Sequence, residues 1–301
     1  MKNSFTMLVG LIASGKSTYA NKLSKLYNNS IIIESDAYRK KNYGNESVQG
    51  DNNKLFEEIH NDILENLSAG SNVIFDATNL GRKNRLSLLN KLSKDVIKEC
   101  IIVATQYEKC LEQNRNRERK VPEEVINRMY KSFQVPTFTE GWDVIDIEYN
   151  YNKEDYSIEE YLRFADNYDQ KNYHHSLTLG QHSRKVGELL KEQKVDEHVY
   201  LAGILHDCGK PMTQVFVNSK GEPSSSAHYY CHSELGAYEA LFYLDNKTVR
   251  TRDLIEAVCL INYHMRLYES KSNRAINKIK DIMGNSYFLL EILHDADKKS
   301  K

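Results

Sequence analysis

Near the start of the chain, one short segment has the residue types and spacing of a phosphate-binding loop. Residues 10–17 read GLIASGKS and fit the pattern G-x-x-x-x-G-K-[ST]. Glycines let backbone N–H groups turn onto phosphate oxygens, and the N-terminal end of the following helix favours negative charge. Lys16 is expected on the β- and γ-phosphates of a nucleoside triphosphate, and the Ser17 hydroxyl on Mg²⁺. The residues predicted to bind ATP, or another nucleoside triphosphate, are Gly10, Ser14, Gly15, Lys16, Ser17 and Thr18.

Two aspartates follow predicted strands and are candidates for work on a phosphoryl acceptor. Asp36, in SDAYR, follows the second apolar run and could take the proton of an attacking hydroxyl. Arg39 lies one helical turn later and could hold a phosphate of the acceptor. Asp76, in DATN, follows the third run and suits a Walker-B-like role or the positioning of the acceptor. The alternatives are a helix N-cap at Asp36 and an Asx turn at Asp76.

An arginine-rich segment precedes a predicted helix. Residues 114–120 read NRNRERK and are followed by VPEEVINRM. Arg117 and Arg119 could therefore belong to a lid that closes over the triphosphate and neutralises charge in the transition state. Charge runs are more often solvated surfaces, and the sequence alone leaves this alternative open.

Histidines are concentrated in the second half of the chain. Nine of the ten lie at or after His174. Imidazole is the commonest metal ligand, and histidine together with aspartate suits Mn, Fe, Co, Ni or Zn. A lone histidine is more often structural, but several in compatible helical contexts favour a metal site. The candidate ligands are His182, His206, Asp207, His232, His264 and Asp297.

The elements that must position these groups differ between the two halves. Strands separated by helical stretches predict a parallel sheet with crossover helices in the first half. The predicted strands are 5–9, 31–33, 73–75 and 101–103, and the helices between them include 16–27 and 52–67. After about residue 150 no strand is predicted, and helices are expected at 181–190, 199–206, 233–244, 253–263 and 287–294. We predict two domains: an α/β domain over residues 1–155 and an all-α domain over residues 160–301.

Composition narrows the class of protein. The 301 residues include 41 Lys and Arg against 42 Asp and Glu, a formal net charge of −1, which argues against tight binding of nucleic acid by bulk charge. Five scattered cysteines without a C-x-x-C pair suit a reduced compartment. The apolar run at 5–13 is too short to span a bilayer and runs straight into Ser-Gly-Lys. We expect a soluble, cytoplasmic protein with no membrane partner.

Four motifs give the first half a family resemblance. GLIASGKST, SDAYR, DATNL and NRNRERKVPEEVINRM occur in order within residues 1–148. With them this region resembles the 5′-hydroxyl polynucleotide kinases of phage and bacterial RNA-repair systems, although Ala13 stands where such kinases often carry glycine. The resemblance implies that Asp36 is the general base and that Arg39 clamps the phosphate 3′ of the acceptor nucleotide. The donor and lid roles that it implies fall to Lys16, Ser17, Arg117 and Arg119.

Five motifs give the second half a different resemblance. HHSLTLGQHSRKV, LAGILHDCGK, HYYCHSELGA, INYHM and ILHDADKKS lie within residues 169–300. This region resembles the all-α HD phosphohydrolase superfamily, closest to the HD domain attached to bacterial tRNA nucleotidyltransferases. The resemblance favours Asp297 over Asp295, and leaves Lys210 either on the scissile phosphate or as a helix cap. The ligands it implies are His182, His206, Asp207 and Asp297 for a first metal, and His232 and His264 for a second metal or a phosphate.

Together the two resemblances imply an enzyme that heals RNA ends. The kinase half would phosphorylate a 5′-hydroxyl, and the HD half would remove a 2′- or 3′-phosphate or open a 2′,3′-cyclic phosphate by metal-assisted hydrolysis. RNA ends, tRNA fragments among them, or DNA ends would be substrates, and a separate RNA ligase would act afterwards. Two alternatives stay open: a kinase for a nucleoside or metabolite fused to a nucleotidase, and an HD hydrolase gated by nucleotide.

Overall fold

The computed structural model describes residues 2–48, 50–172, 176–245, 247, 250–270 and 272–300. The chain divides into two units, and both are interrupted in sequence. The first comprises residues 1–126 and 140–150, and the second comprises residues 127–139 and 151–301. The domains predicted at 1–155 and 160–301 do not anticipate this interruption, because residues 127–139 carry no compositional sign of belonging with the later helices.

The first unit is built on a five-stranded parallel sheet, which confirms the predicted α/β fold. Its strands are β1 Ser4–Val9, β2 Ser30–Glu34, β3 Asn72–Asp76, β4 Ile97–Thr105 and β5 Val144–Asn150. They lie in the order β2-β3-β1-β4-β5, so β1 is central, and it is buried on both faces as a strand covered by helices must be. Strand β5 was not predicted, because its sequence VIDIEYN alternates apolar and charged residues, as suits an edge strand with one exposed face.

Crossover helices connect these strands. They are α1 Lys16–Ser24, α2 Ser35–Tyr43, α3 Asn52–Ser68, α4 Arg82–Leu89, α5 Tyr107–Asn116 and α6 Glu123–Tyr130, of which α6 extends past residue 126, where this part of the first unit ends. Helix α3 confirms the predicted helix over 52–67: Leu55, Ile59 and Ile63 recur every four residues and are buried. It begins after Asp51, whose side chain accepts hydrogen bonds from two N–H groups of the first turn.

A buried ion pair fixes the segment that follows β3. Arg85 of α4 and Glu140 are both fully buried, and two parallel N–H···O bonds of 2.7 and 2.8 Å join them. The same guanidinium donates to the carbonyl oxygens of Asn79 and Leu80, at 3.0 and 2.9 Å. The pair therefore holds the chain just beyond Asp76, at the edge of the sheet where the predicted kinase residues lie.

The second unit is mainly helical, which confirms the predicted class. Its helices are α7 Ile158–Ala165, α8 Leu179–Glu192, α9 Glu197–Leu205, α10 His232–Asp245, α11 Thr251–Tyr263, α12 Arg266–Glu269, α13 Asn273–Met283 and α14 Tyr287–Lys299. The expectation that no strand follows residue 150 was wrong. An antiparallel hairpin, β6 Gln214–Val217 and β7 Pro223–Tyr229, lies between α9 and α10. Its serine-rich second strand has no apolar run that a sequence pattern could detect.

Short turns of 3₁₀ helix complete both units. They are 138–140, 153–155, 210–212 and 284–286. Within the described part of the chain, no helix combines the length and the apolar character needed to cross a membrane.

Candidate functional site

The loop between β1 and α1 has the backbone conformation of an anion-binding loop. Ala13 and Gly15 have φ angles of 60° and 92°, in the left-handed region, which turns neighbouring N–H groups toward one side. Helix α1 begins directly after Gly15 with no side-chain cap and no acidic residue in its first turn, so its first N–H groups are available to a phosphate. At Gly10 a Cβ atom would lie 2.7 Å from the Val103 carbonyl oxygen, so a larger residue would push the loop away from β4.

Lys16 lies inside this loop. Its Nζ donates to the carbonyl oxygen of Leu11 at 2.6 Å, and Thr105 Oγ1 donates to the carbonyl oxygen of Ser14 at 2.7 Å. Burial lowers the pKa of Lys16, although the charge of Asp76 opposes the shift. The side chains at 17 and 18 are exposed at the start of α1, where a nucleotide and its Mg²⁺ could reach them. The predicted phosphate-binding residues are thus gathered in one loop.

Three carboxylates, rather than the two predicted, stand at the adjacent edge of the sheet. Glu34 ends β2 and is paired in register with Asp76 at the end of β3, while Asp36 lies in the first turn of α2. Burial, followed by the charges of Asp76 and Asp36, raises the pKa of Glu34. The sequence analysis missed Glu34, although its place at the carboxyl end of a parallel strand was a usable signal.

The arginine predicted to clamp the acceptor is engaged elsewhere. Arg39 is 8% exposed, and its guanidinium donates to the carbonyl oxygen of Val48 at 3.3 Å and to Asn52 Oδ1 at 2.8 Å. It therefore ties α2 to the segment that precedes α3. Its role on the acceptor stays a prediction.

The two lid arginines face different partners. Arg119 Nη1 lies 2.5 Å from Asp36 Oδ2. Arg117 follows the end of α5 and lines a cavity of about 450 Å³ together with Asn150 and residues of α5. Its charge also acts on Lys16. Arg117 thus lies beside α5 and the end of β5, whereas Arg119 contacts the candidate base.

In the second unit, five helices bring the six candidate metal ligands together. His182 comes from α8, His206 and Asp207 from the end of α9, His232 from the start of α10, His264 from the end of α11 and Asp297 from α14. All six are buried. Asp295, which the sequence could not separate clearly from Asp297, is exposed. His174 and His175 lie outside the described residues.

The four histidines of this cluster are all anchored through Nδ1. In His206, His232 and His264 this atom lies 2.7 Å from a backbone carbonyl oxygen. In His182 it lies 2.9 Å from Ser300 Oγ, and the Ser300 hydroxyl donates its own proton to the Asp297 carbonyl oxygen. Each Nδ1 must therefore carry a proton, which makes each Nε2 the atom that can bind a metal.

The Nε2 atoms converge in two pairs. They are 3.2 Å apart between His182 and His206, and 3.2 Å apart between His232 and His264. Two unprotonated ring nitrogens at this distance repel one another unless a proton or a metal cation lies between them. Two groups of three residues fit such a cation, because their ligand atoms lie within 4.8 Å of one another: His182, His206 and Asp297, and Asp207, His232 and His264.

Asp207 contacts both groups through different oxygen atoms. Its Oδ2 lies 3.4 Å from His182 Nε2 and 3.2 Å from His206 Nε2. Its Oδ1 lies 3.3 Å from His232 Nε2 and 3.7 Å from His264 Nε2. The arrangement therefore suits two cations that share one carboxylate, and gives His232 and His264 a carboxylate partner that the predicted division of ligands did not supply.

The electrostatics of the cluster favour bound positive charge. Burial opposes ionisation of Asp207, but the charges of His206 and Lys210 hold its pKa well below the usual value. Burial likewise opposes protonation of His182, yet Asp207 and Asp297 outweigh it and raise the pKa of His182 to about 9. Burial lowers the pKa of His232, which keeps this imidazole neutral and able to bind a metal.

Several supporting contacts were not predicted from the sequence, although Lys210 was considered for the scissile phosphate or as a helix cap. Lys210 Nζ bridges Asp207 Oδ2 and Gln170 Oε1, at 2.7 Å each, so the lysine acts inside the cluster rather than as a simple helix cap. Tyr268 donates to Asp297 Oδ2 at 3.0 Å, which leaves Oδ1 facing His182. Ser300 orients His182 as described above. Apart from the contact between Lys210 and Asp207, these contacts join distant parts of the chain, and no local pattern predicts them.

Comparison with known families agrees with this division. A family model described as an AAA domain matches residues 5–136, and one described as an HD domain matches residues 172–298. The chain therefore combines a P-loop, kinase-like domain with an HD domain, as the two resemblances implied.

Particular relatives cover only part of the chain. The L-seryl-tRNA(Sec) kinase of Methanococcus maripaludis is 32% identical over 157 residues, which is 47% of this chain and 56% of that protein. The chain thus spans a little over half the length of this curated relative. Among solved structures, a chain of the Pnkp1/Rnl/Hen1 RNA repair complex is 18% identical, with 42% of each chain covered and a TM-score of 0.39. A gluconokinase from Sinorhizobium meliloti 1021 is 17% identical, with 50% of this chain and 84% of that chain covered and a TM-score of 0.37.

Proposed function

We propose that the chain is a bifunctional enzyme that heals the ends of broken RNA. The first unit would transfer phosphate from ATP to a 5′-hydroxyl, and the second would hydrolyse a 2′,3′-cyclic phosphate or a terminal 2′- or 3′-phosphate. Attack by the 2′-hydroxyl, as many ribonucleases use it, leaves these two kinds of end. The observation that carries the proposal is the presence in one chain of two features: a loop with the P-loop pattern in the sheet domain in which Asp36 begins α2, and a cluster of candidate metal ligands around Asp207.

The kinase step follows from the edge of the sheet. Asp36 would accept the proton of the 5′-hydroxyl as the hydroxyl oxygen attacks the γ-phosphorus, and ADP would leave as the bond to the β–γ bridging oxygen breaks. Lys16 and Arg117 supply positive charge on the donor side. Mg²⁺ would be held through the Ser17 hydroxyl and the carboxylates that end β2 and β3.

The hydrolytic step follows from the buried cluster. When bound, divalent metals supply an acidified water and neutralise charge on phosphoryl oxygens. The histidine Nε2 atoms and the carboxylates of Asp207 and Asp297 would hold these metals. Lys210, fixed between Asp207 and Gln170, places a further positive charge beside the cluster, where it could contact the scissile phosphate. A separate RNA ligase would then join the healed ends.

The L-seryl-tRNA(Sec) kinase supports an RNA-linked acceptor, because its name describes phosphorylation of a hydroxyl carried on a tRNA. It also favours a second candidate function, which is phosphorylation of an aminoacyl hydroxyl on tRNA. The two differ in the acceptor oxygen: a ribose 5′-hydroxyl at an RNA end, or a serine hydroxyl esterified to an intact tRNA.

The kinase proposal is tested by transfer of label from ATP. A 5′-hydroxyl RNA, a 5′-hydroxyl DNA, a seryl-tRNA and a free nucleoside are offered with Mg²⁺. We expect transfer to 5′-hydroxyl RNA that is lost in Lys16→Ala and Asp36→Asn but kept in Asp95→Asn, an exposed aspartate away from the site. Transfer to seryl-tRNA alone would establish the second candidate, and transfer to nucleosides alone would favour a small-molecule kinase.

The hydrolase proposal needs RNAs with a defined 3′ end. Substrates that end in a 2′,3′-cyclic phosphate, a 2′-phosphate or a 3′-phosphate are incubated with Mn²⁺, Co²⁺ or Ni²⁺. We expect hydrolysis that is lost in Asp207→Asn and kept in Asp295→Asn, its exposed counterpart on α14. Hydrolysis of free nucleotides but of none of these RNAs would favour a nucleotidase, and hydrolysis only when ATP is present would favour a nucleotide-gated HD site.

A further inference from the structure

Three aromatic side chains form a row that begins beside the candidate metal cluster. Lys210 Nζ, which contacts Asp207, lies 5.5 Å from the centre of the Tyr229 ring. The row continues with Tyr168 and ends with Phe164, and the ring centres of these two residues are 5.8 Å apart. Tyr229 and Tyr168 are half-buried and Phe164 is exposed, so the row leads from the cluster to the surface of the second unit.

Contacts to Gln170 fix the inner end of this row. The Gln170 side chain accepts a hydrogen bond from Lys210 Nζ at 2.7 Å, and its backbone carbonyl oxygen accepts one from the Tyr229 hydroxyl. Burial, followed by the neighbouring Tyr229, raises the pKa of Tyr168, which lies two residues before Gln170. The Tyr229 carbonyl oxygen also accepts from His232 Nδ1 at 2.7 Å. The row is therefore bonded directly to a candidate metal ligand.

Packing of the core does not account for Phe164 at the outer end. It lies near the end of α7 and is 55% exposed, whereas Tyr161, Leu162 and Ala165 of the same helix are buried. Single exposed apolar side chains are common on protein surfaces. Phe164, however, continues a series of rings that starts at the cluster, and its exposed face is stabilised when a ligand covers it.

The charges along the row are compatible with a polyanion. Residues 164–171 contain two carboxylates, and both are paired: Asp166 with Arg184 and Asp169 with Lys171, at 2.9 Å each. Flat aromatic rings bind nucleobases by stacking, and every base has a face that can stack. Rings without uncompensated negative charge therefore suit a single strand of RNA.

We propose that this aromatic row stacks the bases of an RNA 3′ end and thereby presents the terminal phosphate to the metal cluster. Tyr229 and Tyr168 lie against the base next to that phosphate, and Phe164 lies against the base before it. The row selects for stacked bases and not for their identity, because stacking is tolerant of sequence. The inference rests on the proposed hydrolase function and adds that the preferred substrate is a strand rather than a mononucleotide.

The test varies the length of the strand and the presence of its bases. kcat/KM for hydrolysis is measured with Mn²⁺ for a trinucleotide and a nucleoside that carry the same 2′,3′-cyclic phosphate or 3′-phosphate, and for the trinucleotide without its two upstream bases. We expect the complete trinucleotide to be the best substrate. In Phe164→Ala the ratio of trinucleotide to nucleoside should fall by about 5- to 100-fold, as for loss of one stacked base, and Phe164→Trp should keep it.

The matched control is Phe288→Ala, because Phe288 is 56% exposed on α14 of the same unit. A second readout does not depend on turnover. A trinucleotide with 2-aminopurine as its middle base is titrated with protein in the absence of metal, where stacking on an aromatic ring quenches the fluorescence. We expect quenching by the wild-type protein and by Phe288→Ala, and little by Phe164→Ala.

The outcomes separate the inference from the proposed function. The inference is wrong if the nucleoside is hydrolysed as efficiently as the trinucleotide, or if Phe164→Ala keeps the wild-type ratio and quenching. It is also wrong if Phe164→Ala changes only the oligomeric state in light scattering, since the row is then an interface between copies of the chain. Quenching without hydrolysis of any substrate would uphold the row and contradict the hydrolase, and absence of both would contradict both.

Discussion

The Ser300 hydroxyl lies 2.9 Å from Nδ1 of His182 and ties the end of α14 to a metal-binding residue of α8. The hydroxyl donates its own proton to the Asp297 carbonyl oxygen, so toward His182 it can only accept a hydrogen bond. The other three histidines of the cluster use rigid backbone carbonyls for the same purpose. His182 alone among the four depends on a side chain for its orientation.

Ser300→Ala should therefore weaken metal binding at the group formed by His182, His206 and Asp297. We expect affinity for Co²⁺ or Ni²⁺ at this group to fall by about 10- to 100-fold, with the group around His232 and His264 much less affected. Titration of the protein with Co²⁺ or Ni²⁺, followed by visible absorption and by calorimetry, separates metal binding at the two groups. Ser157→Ala, which removes an N-cap of α7 in the same unit, is the control. Equal loss in both variants would contradict a specific role for Ser300.

Gly209 allows α10 to approach closely the turn that carries Asp207. A Cβ at this position would lie 2.1 Å from the His232 carbonyl oxygen and 2.7 Å from the Gly236 nitrogen, both of which are backbone atoms. Gly209→Ala should displace His232 from Asp207 and abolish hydrolysis while kinase activity persists. At Gly81 a Cβ would lie 3.9 Å from Asn84 Nδ2, an ordinary contact, so the control Gly81→Ala should be tolerated. Normal hydrolysis by Gly209→Ala, assayed at saturating Mn²⁺, would show that the close approach is unnecessary.

The Arg85–Glu140 pair should dominate the stability of the first unit. Removing only the arginine takes the bidentate partner from a buried carboxylate, and we expect Arg85→Ala to lower the free energy of unfolding by about 3–5 kcal/mol. Trp142, the single tryptophan, donates to Glu140 Oε2 at 3.2 Å, so its fluorescence reports unfolding at this place in denaturant titrations. The double variant Arg85→Met, Glu140→Leu should lose less free energy of unfolding than Arg85→Ala, because no charge is then left buried at this place. A loss below about 1 kcal/mol for Arg85→Ala would contradict this account.

A second ion pair should give the second unit a measurable pH dependence. His198 Nε2 lies 2.7 Å from Glu256 Oε2. Burial opposes protonation of His198, but Glu256 raises its pKa overall, and the hydrogen bond from His198 lowers the pKa of Glu256. The contribution of His198 to the free energy of unfolding is complete below its unfolded pKa of about 6.5. It is lost as pH rises through the higher pKa that His198 has in the folded protein. The contribution of Glu256 to the free energy of unfolding is complete above its unfolded pKa of about 4.5. It is lost as pH falls through the lower pKa that Glu256 has in the folded protein.

The coupling between the two residues should therefore be largest near pH 5–6 and small at pH 9. A double-mutant cycle with His198→Gln and Glu256→Gln, followed by far-ultraviolet circular dichroism in urea, measures it directly. We expect a coupling of about 1 kcal/mol at the lower pH, since Glu256 is partly exposed. A coupling that is unchanged at pH 9 would mean that the contact does not depend on charge.

The sequence predicted those features that are local. The P-loop, the apolar strands and the helix over 52–67 each follow from residue spacing within one segment, and each is present. Strand β5 was missed because its apolar and charged residues alternate, and β7 because it is rich in serine; the short Val-Phe-Val run of β6 was overlooked.

Side-chain partnerships were much harder to predict. The motifs named His182 and Asp207, but not that Asp207 would offer one oxygen to each of two groups. Arg39 and Arg119 were both expected on phosphates, yet Arg39 holds a neighbouring segment and Arg119 holds Asp36. Such contacts depend on helices far apart in sequence, and spacing along one helix carries no information about them.

The most direct test of two independent sites uses one RNA with a 5′-hydroxyl and a 2′,3′-cyclic phosphate. After incubation with ATP, Mg²⁺ and Mn²⁺, mass spectrometry reads the state of both ends. We predict that the wild-type protein changes both ends, that Asp36→Asn changes only the 3′ end, and that Asp207→Asn changes only the 5′ end. Loss of both reactions in either variant, with circular dichroism showing intact folding, or no change at either end with the wild-type protein, would contradict the account.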